Sequence, residues 1–414
     1  MPASPSTARA INDRLALDLL QQEGPLTAGQ LKQLTGLSRP TVADLVERLT
    51  ASGLITVVGE AGEQRRGPNA RLYGIVADRA YLAALDVRTE SVSVLVSDLV
   101  GRVLAEGSVP VGPETGTASA VEQAVELVER AVKEAEVSGE GRLHTVGIGA
   151  PGLVDPGTGE LRDSAGLPGW HRRLVAALQE RFPQARVGVE NETNLAALAE
   201  QREGVAQDRD TFVLLWLGDS CGAAVVLDGR LRRGASGGTG EIGFLPVPGT
   251  TTLPSATDCS GGYHSLVGAA AVAELAAEYG LVGEAVRLVE EGAHGAPQRG
   301  AGNCATSHDA LAADRGPDQA HSVRFLDALA DRIALGVAAI VAILDPGCAV
   351  LGGEIGAAGG AALAARVEER LRRMSPLATE VRASALGGAA VLRGALLTAR
   401  ERAQDELFAP PDRV

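Results

Sequence analysis

Two segments of this sequence, far apart in the chain, begin with the same pattern of short apolar strands joined by turns. Residues 82–111 alternate apolar and polar positions across two turns, which predicts two or three neighbouring antiparallel strands. Residues 211–234 again predict a pair of strands, with a glycine in the turn that joins them. Helical stretches and further buried strands follow in both segments. The repetition predicts two α/β lobes with a cleft between them.

The stretches after each strand pair predict the remainder of the two lobes. Residues 143–155 predict a buried strand that ends in a glycine-proline turn, and residues 187–200 predict a strand that runs into a helix. In the second lobe, residues 333–344 predict a buried helix, and residues 347–360 predict a strand that opens into a glycine-rich loop. Residues 291–320, which are rich in Gly, His and Asp, predict an irregular surface connection.

The charge of the chain limits the partners that it can bind. The formal net charge is −14, which argues against attraction of the whole surface to nucleic acid or acidic membranes. The first 80 residues carry nine basic and eight acidic side chains, so this segment is +1 and the remainder is −15. Any contact with DNA is therefore expected to be local.

Cysteine usage and hydropathy predict a cytoplasmic protein with no membrane partner. The four cysteines, Cys221, Cys259, Cys304 and Cys348, are widely separated, and no pair has the spacing of a zinc ribbon or a redox motif. The N-terminal sequence lacks the apolar core of a signal peptide, and the longest apolar run, residues 333–344, is too short to span a bilayer. A reducing compartment fits these features best.

The first eighty residues carry the signals of three short helices. Ile11, Leu15 and Leu19 recur at helical spacing and predict the first helix. Thr27 followed three residues later by Gln30 is a capping-box pattern, which predicts the start of the second helix.

The third helix is predicted to begin at Ser38 and to end at Gly53. Gly36 suits the end of the helix before it, Ser38 is a favourable N-cap, and Pro40 is tolerated in a first turn. The apolar side of this helix consists of Val42, Leu45, Val46 and Leu49.

The third helix and the strands after it predict a winged helix-turn-helix. A short helix, a tight turn and a longer helix with a polar outer side are typical of a motif that places the last helix in the major groove of DNA. Residues 54–76 predict two short strands with a basic tip, which fits a wing that reaches the phosphate backbone or the minor groove. The residues predicted to contact DNA are Ser38, Arg39, Pro40, Thr41, Arg48, Arg65, Arg66 and Arg71.

A small packing or dimerisation domain is the alternative interpretation of this segment. Asp44 and Glu47 on the outer side of the third helix favour it slightly, because phosphates repel carboxylates. A carboxylate in the major groove can also accept a hydrogen bond from cytosine, and Arg39 and the arginines of the wing favour DNA binding.

The order of several motifs resembles that of the ROK family of repressors, open reading frames and sugar kinases. The motifs are VGIGAPGLVD, LPGW, VENETNLAALAE, GRLRRGASGGTGEIGFLPV and VLGGEIG, and the winged helix precedes them. The resemblance covers nearly the whole chain, and the DNA-binding segment is similar to that of xylose-repressor-like members. It implies an α/β fold of two actin-like lobes around a cleft for sugar and nucleotide.

This resemblance implies four parts of the chain. They are a winged helix-turn-helix at residues 1–80, a first actin-like lobe at 81–198, a second at 199–385, and a C-terminal helix at 386–414 that returns to the first lobe. A chain of 414 residues is long for one hydrophobic core, which agrees with a division into domains.

The two phosphate-binding turns of the kinases are altered in this chain. In the kinases, the first hairpin has an Asp followed by two glycines and a Thr, so that backbone amides approach the phosphates. This chain keeps Asp86 but continues with Arg-Thr-Glu at residues 88–90. The second turn, residues 218–224, places Asp219 where a kinase hydroxyl would contact phosphate. We therefore expect no ATP, no other cofactor and no catalysis.

The zinc site of the kinases is incomplete here. In the kinases it consists of a His after the Gly-Glu-x-Gly motif and three cysteines, and a closed structural site needs four such ligands. In this chain Phe244 takes the place of the His, and the cysteine run offers Thr257, Cys259 and His264. Two candidate ligands do not make a zinc site, so no metal is predicted, and Cys259 and His264 are interpreted as loop residues.

The sugar subsite of the kinases is partly kept. By resemblance, the sugar-binding positions fall on Asn191, Glu192, Glu241, Phe244 and Leu266. Glu192 stands where the kinases have the catalytic Asp, and its extra methylene moves the carboxylate by about an ångström, which harms proton transfer. A carboxylate that no longer catalyses can still bind sugar hydroxyls, so Asn191, Glu192 and Glu241 are the predicted sugar ligands.

Two alternatives stay open for these residues. Glu192 and Asn194 could cap the helix that follows them, which is compatible with ligand contact. Phe244 and Leu266 are apolar where the kinases are polar, so the effector could have changed or been lost. Trp170 of the LPGW motif could pack near a sugar.

These features predict a transcription regulator, most simply a repressor of carbohydrate-metabolism genes. It would bind a palindromic operator in double-stranded DNA as a homodimer or homotetramer, and a sugar or sugar derivative would change lobe closure. The rival hypothesis is an active ATP-dependent sugar kinase with a fused DNA-binding head. A third is a ligand-independent DNA-binding protein whose lobes serve only for oligomerisation.

Overall fold

The computed structural model arranges the chain around three sheets. It describes residues 5–61, 70–112, 114–137, 143–162, 168–255, 260–294 and 317–409. In sequence order, the sheets contain three, five and five strands. Within these residues, no helix is both long enough and apolar enough to cross a membrane.

The N-terminal part folds into three helices and a small antiparallel sheet. Its elements are α1 (Pro5–Glu23), β1 (Leu26–Thr27), α2 (Ala28–Thr35), α3 (Arg39–Ala51), β2 (Ile55–Ala61) and β3 (Ala70–Ile75). The central strand, β3, pairs with β1 and β2. The predicted helix-turn-helix and the two strands of the wing are confirmed, whereas Arg65 and Arg66 at its tip lie outside the described residues.

Side-chain caps fix the ends of the second and third helices, as the sequence predicts. The backbone N–H of Gln30 donates to Thr27 Oγ1 over 3.2 Å, and the Gln30 side chain accepts from the Thr27 N–H over 2.9 Å. Gly36 ends α2 in the left-handed region, with a φ of 70°. Ser38 caps α3 by accepting from the Thr41 N–H over 3.3 Å.

The first helix is confirmed, but its buried side differs from the apolar repeat that predicts it. Ala16, Leu17 and Leu20 are buried, whereas Ile11 and Leu15 are 58% and 40% exposed. The helix contacts α2, α3 and β3, and these contacts determine which side is covered. Periodicity identifies a helix but does not say which of two apolar sides faces the core.

The first lobe is a five-stranded mixed sheet with helices against it. Its elements are β4 (Tyr81–Val87), β5 (Ser91–Asp98), β6 (Val103–Pro110), α4 (Thr117–Glu134), β7 (Leu143–Ala150), α5 (Trp170–Arg181), β8 (Arg186–Asn191) and α6 (Glu192–Glu203). The strand order is β6-β5-β4-β7-β8. The first three strands are antiparallel, as predicted, and β7 and β8 continue the sheet in parallel with β4.

The second lobe repeats this arrangement. Its elements are β9 (Phe212–Leu217), β10 (Cys221–Leu227), β11 (Arg230–Arg232), α7 (His264–Val267), α8 (Ala269–Glu278), α9 (Ala285–His294), α10 (Pro317–Leu344), β12 (Cys348–Gly352), α11 (Gly353–Met374) and β13 (Glu380–Ala383), and the C-terminal helix α12 (Ala390–Leu407) follows them. The strand order is β11-β10-β9-β12-β13, with an antiparallel hairpin followed by parallel strands. The α/β architecture predicted for both lobes is confirmed.

The glycine-rich loop predicted after β12 is instead the start of a helix. α11 begins at Gly353, directly after β12 ends at Gly352. Gly353 has a φ of 74°, and a Cβ at this position would collide with the carbonyl oxygen of Leu217 in β9. The glycine therefore allows the helix to begin close to the neighbouring strand, and it places Glu354 in the first turn of α11.

The C-terminal helix, α12, packs against α6 and against β4 and β7 of the first lobe. One continuous group of buried apolar side chains includes Leu17 of α1, Leu45 of α3, Leu195 of α6, Phe212 of β9 and Leu396 of α12. Because the hydrophobic effect favours keeping this group together, the N-terminal helices share a core with both lobes.

Candidate functional site

The polar stretch at the end of β8 forms the start of α6. Asn191 is the N-cap of this helix, and its Oδ1 accepts from the backbone N–H groups of Thr193 over 2.9 Å and of Asn194 over 3.2 Å. Its Nδ2 donates to the carbonyl of Gly152 over 3.0 Å. Asn191, and not Glu192 or Asn194, therefore caps α6. These hydrogen bonds hold the side-chain amide of Asn191 at the end of β8.

Glu190, just before this cap, joins the two lobes. Its buried carboxylate accepts from Asn194 Nδ2 over 3.0 Å, and from Nε and Nη2 of Arg233 over 2.8 and 2.6 Å. Arg233 directly follows β11 of the second lobe. The pair balances the charge of Glu190 and holds the chain after β11 against the end of β8.

Arg88 lies in the hairpin turn between β4 and β5 and pairs with carboxylates of both lobes. Its Nε and Nη2 donate to Asp86 over 2.8 and 3.0 Å, and its Nη1 donates to Glu354 in the first turn of α11. The guanidinium lies over the ring of Trp216, with Cζ 5.1 Å from the ring centroid. The arginine side chain therefore reaches from the first hairpin turn to the second lobe, whereas the two residues after it are exposed.

Glu354 also covers the second hairpin turn, which joins β9 and β10. A Cβ on Gly218 would collide with Oε2 of Glu354, so the carboxylate lies directly against this glycine. Asp219, which the sequence singles out at this turn, is exposed. A carboxylate from α11 therefore lies against Gly218, and no sequence signal near the turn identifies it.

Glu192, the first residue of α6, has a buried carboxyl group with an unsatisfied oxygen. The residue is 8% exposed, and its Oε2 has no hydrogen-bond partner among the described residues. Burial raises the pKa of Glu192 to about 8, the positive charge of Arg88 opposes this increase, and the charges of Asp86, Glu354 and Glu241 add to it. At pH 7 the carboxyl group is therefore mostly protonated. We call Asp86, Arg88, Glu192, Glu241 and Glu354 the cleft cluster.

Glu241 lies at the exposed edge of the cleft cluster. It follows Gly240, whose φ of 90° and close approach to the carbonyl of Ala223 leave no room for a Cβ. The Glu241 side chain is exposed, yet the protein around it removes enough water to raise its pKa. The structure thus brings Glu192 and Glu241 into electrostatic contact, while the amide of Asn191 is held by Gly152.

Trp170 does not line the cleft cluster. It is 4% exposed and belongs to the core between β4, β7 and α5 of the first lobe. Its ring meets that of His171 edge-on, with 4.3 Å between the centroids. The ring of His171 is buried, and burial lowers the pKa of His171 to about 4, although an interaction with the backbone of Arg88 opposes this shift. The sequence-based idea that Trp170 packs on a sugar is therefore not supported.

The positions that correspond to the zinc site of the kinases carry few ligands. Phe244 is partly exposed, Leu266 is buried, and His264 begins α7. Thr257 and Cys259 lie outside the described residues. Among the residues that the structure describes, no three His, Cys, Asp or Glu side chains are placed to hold a metal ion.

Four of the eight residues predicted to contact DNA lie at the start of α3. Ser38, Arg39 and Pro40 are exposed there, and Thr41 is half-buried, with its hydroxyl 2.8 Å from that of Ser38. Arg71 is exposed on β3, next to the wing. The start of α3 and the outer side of β3 therefore form a surface with exposed cationic side chains.

Arg48 differs from the other predicted DNA contacts because carboxylates already hold it. Its Nη2 donates to Asp13 of α1 over 2.6 Å, and its Nη1 donates to Asp44 of α3. Arg39 and Arg71 have no such ion pair within the described residues. The sequence places Arg48 on the outer side of α3, and the structure shows that its side chain ties α3 to α1.

The helix-turn-helix contacts the C-terminal helix through α1. Gln404 of α12 donates to Gln21 of α1 over 2.7 Å and to the carbonyl of Leu99 over 3.1 Å. Arg14 of α1 forms an ion pair with Asp405 over 2.8 Å. These contacts place α12 between α1 of the helix-turn-helix part and α6.

Sequence comparison matches the two parts of the chain to two family models. The model of the ROK family matches residues 82–402, and that of the MarR family matches residues 11–67. The xylose repressor of Caldicellulosiruptor bescii is 25% identical over 239 residues, which cover 58% of this chain and 59% of that protein. The DNA-binding transcriptional dual regulator NagC of Escherichia coli is 27% identical over 247 residues, 58% of each chain. The aligned segment thus spans less than two thirds of these relatives.

Solved structures with the same fold include both regulators and kinases. A ROK family transcriptional regulator, a homologue of the E. coli MLC protein, has a TM-score of 0.73 at 19% identity, over 97% of this chain and 98% of that one. The ROK hexokinase of Thermus thermophilus has a TM-score of 0.58 at 28% identity, over 78% of this chain and 99% of that one. The predicted helix-turn-helix followed by two actin-like lobes is confirmed, and because the family model matches most of its length, the chain belongs to the ROK family.

Proposed function

We propose that this protein is a transcription regulator, a repressor of carbohydrate-metabolism genes, whose lobes bind a sugar or sugar derivative. The observation that carries the proposal is a continuous set of contacts from the cleft cluster to the DNA-reading helices. Glu192 begins α6, α6 packs against α12, and Gln404 of α12 is hydrogen-bonded to α1. The repressor and the regulator found among its relatives support the same function.

At the DNA end, the start of α3 enters the major groove and the wing contacts the backbone. Arg39 and Arg71 supply exposed positive charge, and neither forms an ion pair with a carboxylate of the described residues. Ser38 and Thr41 offer hydroxyls beside Arg39, at the end of the helix that meets the bases in motifs of this kind. A homodimer or homotetramer presents two such heads, which suits a palindromic operator.

At the ligand end, Asn191, Glu192 and Glu241 are the residues that bind the sugar or its derivative. The buried oxygen of Glu192 has no hydrogen-bond partner among the described residues, so a ligand is the natural group to satisfy it. A ligand that binds the closed lobes more tightly than the open lobes shifts the population toward closure. Movement of α6 and α12 then changes how the two DNA-reading heads are held.

Phosphoryl transfer is not part of the proposed function. The Arg88 side chain and Glu354 lie against the two hairpin turns to which the kinase resemblance assigns phosphate. Glu192 is mostly protonated at pH 7, so it is a poor acceptor for the proton of an attacking hydroxyl. The protein needs no cofactor or metal to act as a ligand-gated repressor.

A sugar kinase with a fused DNA-binding head is the second candidate, because a hexokinase shares the fold. It predicts sugar-dependent ATP hydrolysis or sugar phosphorylation. Saturable phosphorylation of any hexose or pentose by the purified chain would establish it and would contradict the proposal.

The proposal is tested by selecting fragments of the source genome that the purified chain binds. Each fragment is then titrated with individual sugars and sugar derivatives while fluorescence anisotropy follows release. We expect a palindromic site near carbohydrate genes and release by one class of ligand. If the chain binds DNA but no sugar changes this binding, the protein is a DNA-binding protein whose lobes only oligomerise. If the chain binds no DNA fragment specifically, the proposal is contradicted outright.

A further inference from the structure

The cleft cluster carries more negative charge than positive charge. The carboxylates of Asp86, Glu354 and Glu241 surround Glu192, and Arg88 is the cation that faces it. Arg88 already donates to Asp86 and to Glu354, with its guanidinium over Trp216. Three of its five N–H groups therefore donate to other carboxylates, and Oε2 of Glu192 receives no hydrogen bond from the described residues.

The neighbouring Glu190 shows how a buried carboxylate in this region is satisfied. Glu190 accepts one hydrogen bond from Asn194 and two from the guanidinium of Arg233. Glu192 is similarly buried, but within the described ranges of the chain its Oε2 has no corresponding partner. A buried polar oxygen without a partner costs free energy, which a donor from outside the protein would recover.

The geometry points to a cationic ligand for the cleft cluster, namely a sugar or polyol that carries a protonated amine. This inference rests on the proposed function, because it names the chemical class of the sugar-like ligand. The ammonium group would lie between Glu192 and Glu241 and donate to Oε2 of Glu192, as in other charge-assisted hydrogen bonds. A neutral sugar leaves the excess negative charge in place, and a phosphorylated sugar would be repelled by three carboxylates.

Binding of an ammonium group also requires the proton of Glu192 to leave. With a pKa of about 8, Glu192 is roughly nine-tenths protonated at pH 7, whereas an ion pair needs its charged form. Binding at pH 7 therefore releases roughly 0.9 proton per ligand. Below pH 8, affinity increases by up to about tenfold per pH unit, as long as the ligand amine keeps its own proton.

Isothermal titration calorimetry of the full chain tests the inference. Titrations at pH 7 in two buffers of different ionisation enthalpy give both the affinity and the number of protons released. The probes are 1-amino-1-deoxy, 2-amino-2-deoxy and 6-amino-6-deoxy hexoses, each compared with its parent hexose and its N-acetyl derivative, which is bulkier but uncharged. We expect at least one amine to bind about tenfold tighter than its two uncharged counterparts and to release close to one proton.

Two variants assign this effect to Glu192. Glu192→Gln removes the charge and keeps the size, so the preference for the amine and the proton release should both disappear. Glu126→Gln makes the same change on the exposed side of α4, away from the cleft cluster, and should leave both unchanged. Thermal unfolding of each variant establishes that it is folded at the temperature of the titration.

The outcomes separate this inference from the proposed function. Neutral hexoses that bind as tightly as the amines would overturn the inference and leave sugar sensing standing. An amine preference that persists in Glu192→Gln would also overturn it. No binding by any probe would overturn the inference, and if in addition no sugar or sugar derivative released the chain from DNA, sugar sensing would be overturned as well.

Discussion

The carboxyl group of Glu192 is buried at the start of a helix, among charges from three other segments. The N-terminal end of a helix favours a carboxylate, but desolvation and the neighbouring carboxylates outweigh this effect. Its pKa is about 8 in the folded protein, compared with 4.5 for an ordinary Glu. The folded state therefore holds a proton that the unfolded state loses, which makes Glu192 a source of instability at neutral pH.

We predict that Glu192→Gln stabilises the protein increasingly as the pH rises from 5 to 8. Below pH 4.5 Glu192 is protonated in both states, so the two proteins should differ little. Between pH 4.5 and 8 the unfolded state ionises while the folded state keeps its proton, which lowers the stability of the wild type alone. Urea denaturation should show a gain of roughly 2–4 kcal/mol at pH 8. A difference independent of pH would contradict the environment assigned to Glu192.

Removal of Arg88 leaves Asp86 buried without a cation. We expect Arg88→Ala to lower the free energy of unfolding by about 2–4 kcal/mol at pH 7, because a buried charge loses its partner. Asp86→Asn in the same chain should restore much of this loss, because the isolated charge is gone. Urea unfolding of both single variants and the double variant measures the coupling, and strictly additive effects would refute the role of the ion pair.

The sequence predicts the proposed ligand residues more directly than it predicts the charges around them. Asn191 and Glu192 are neighbours in the chain, and the family motif adds Glu241. By contrast, Arg88 and Glu354 are separated by 266 positions, and only the fold brings the two hairpin turns together. The sequence correctly indicates that Arg88 lies in the turn between β4 and β5, but it does not indicate that Glu354 is its ion-pair partner.

At the scale of elements, the capping residues predict the helices of the N-terminal part because capping is local. Thr27 with Gln30, and Ser38 with Thr41, make the hydrogen bonds expected from their spacing alone. The glycines near Gly353 led to the wrong prediction of a loop. A glycine is needed both in a loop and where the backbone passes close to another strand, so the sequence does not distinguish the two cases. The buried side of α1 is also set by distant elements, which periodicity does not include.

We predict that Arg39→Ala and Arg71→Ala each weaken operator binding about tenfold, while Arg48→Ala acts mainly on stability. The first two side chains are exposed cations. Each loss should therefore also reduce the slope of log affinity against log salt concentration by about one. Arg48 is neutralised by Asp13 and Asp44, so its loss should loosen α3 from α1. Fluorescence anisotropy at several salt concentrations, with thermal unfolding alongside, distinguishes the two effects. An Arg48→Ala variant of unchanged stability with a reduced salt slope would reverse this assignment.

At the scale of the whole molecule, one core joins α1 and α3 to both lobes. Side chains of α1, α3, α6, α12 and β9 are buried in the same group, so movement of α6 relative to α12 changes the packing beneath the DNA-reading helices. The division into lobes follows from the repeated strand pairs in the sequence. The shared core does not, because α12 reaches the first lobe from the far end of the chain.

We predict that Gln404→Ala weakens the coupling between ligand and DNA without removing either binding activity. Gln404 is buried and bonds both Gln21 and the Leu99 carbonyl, so its loss should loosen the contact between α12 and α1. We expect the ligand-induced loss of DNA affinity to shrink by roughly 1 kcal/mol, about fivefold. Anisotropy titrations with and without ligand measure this, and exposed Glu401→Gln on the same helix is the control. If the ligand lowers the DNA affinity of Gln404→Ala as much as that of the wild type, the contact between α12 and α1 does not carry the coupling.

The position of Arg88 over Trp216 gives this molecule an optical reporter of its own. The chain has two tryptophans, and Trp170 is enclosed in the core of the first lobe. Separation of the lobes would withdraw a positive charge from 5.1 Å above the Trp216 ring, and indole emission depends strongly on nearby charge. Unlabelled protein should therefore change the wavelength of its emission when its lobes move, so opening can be followed in real time beside DNA release.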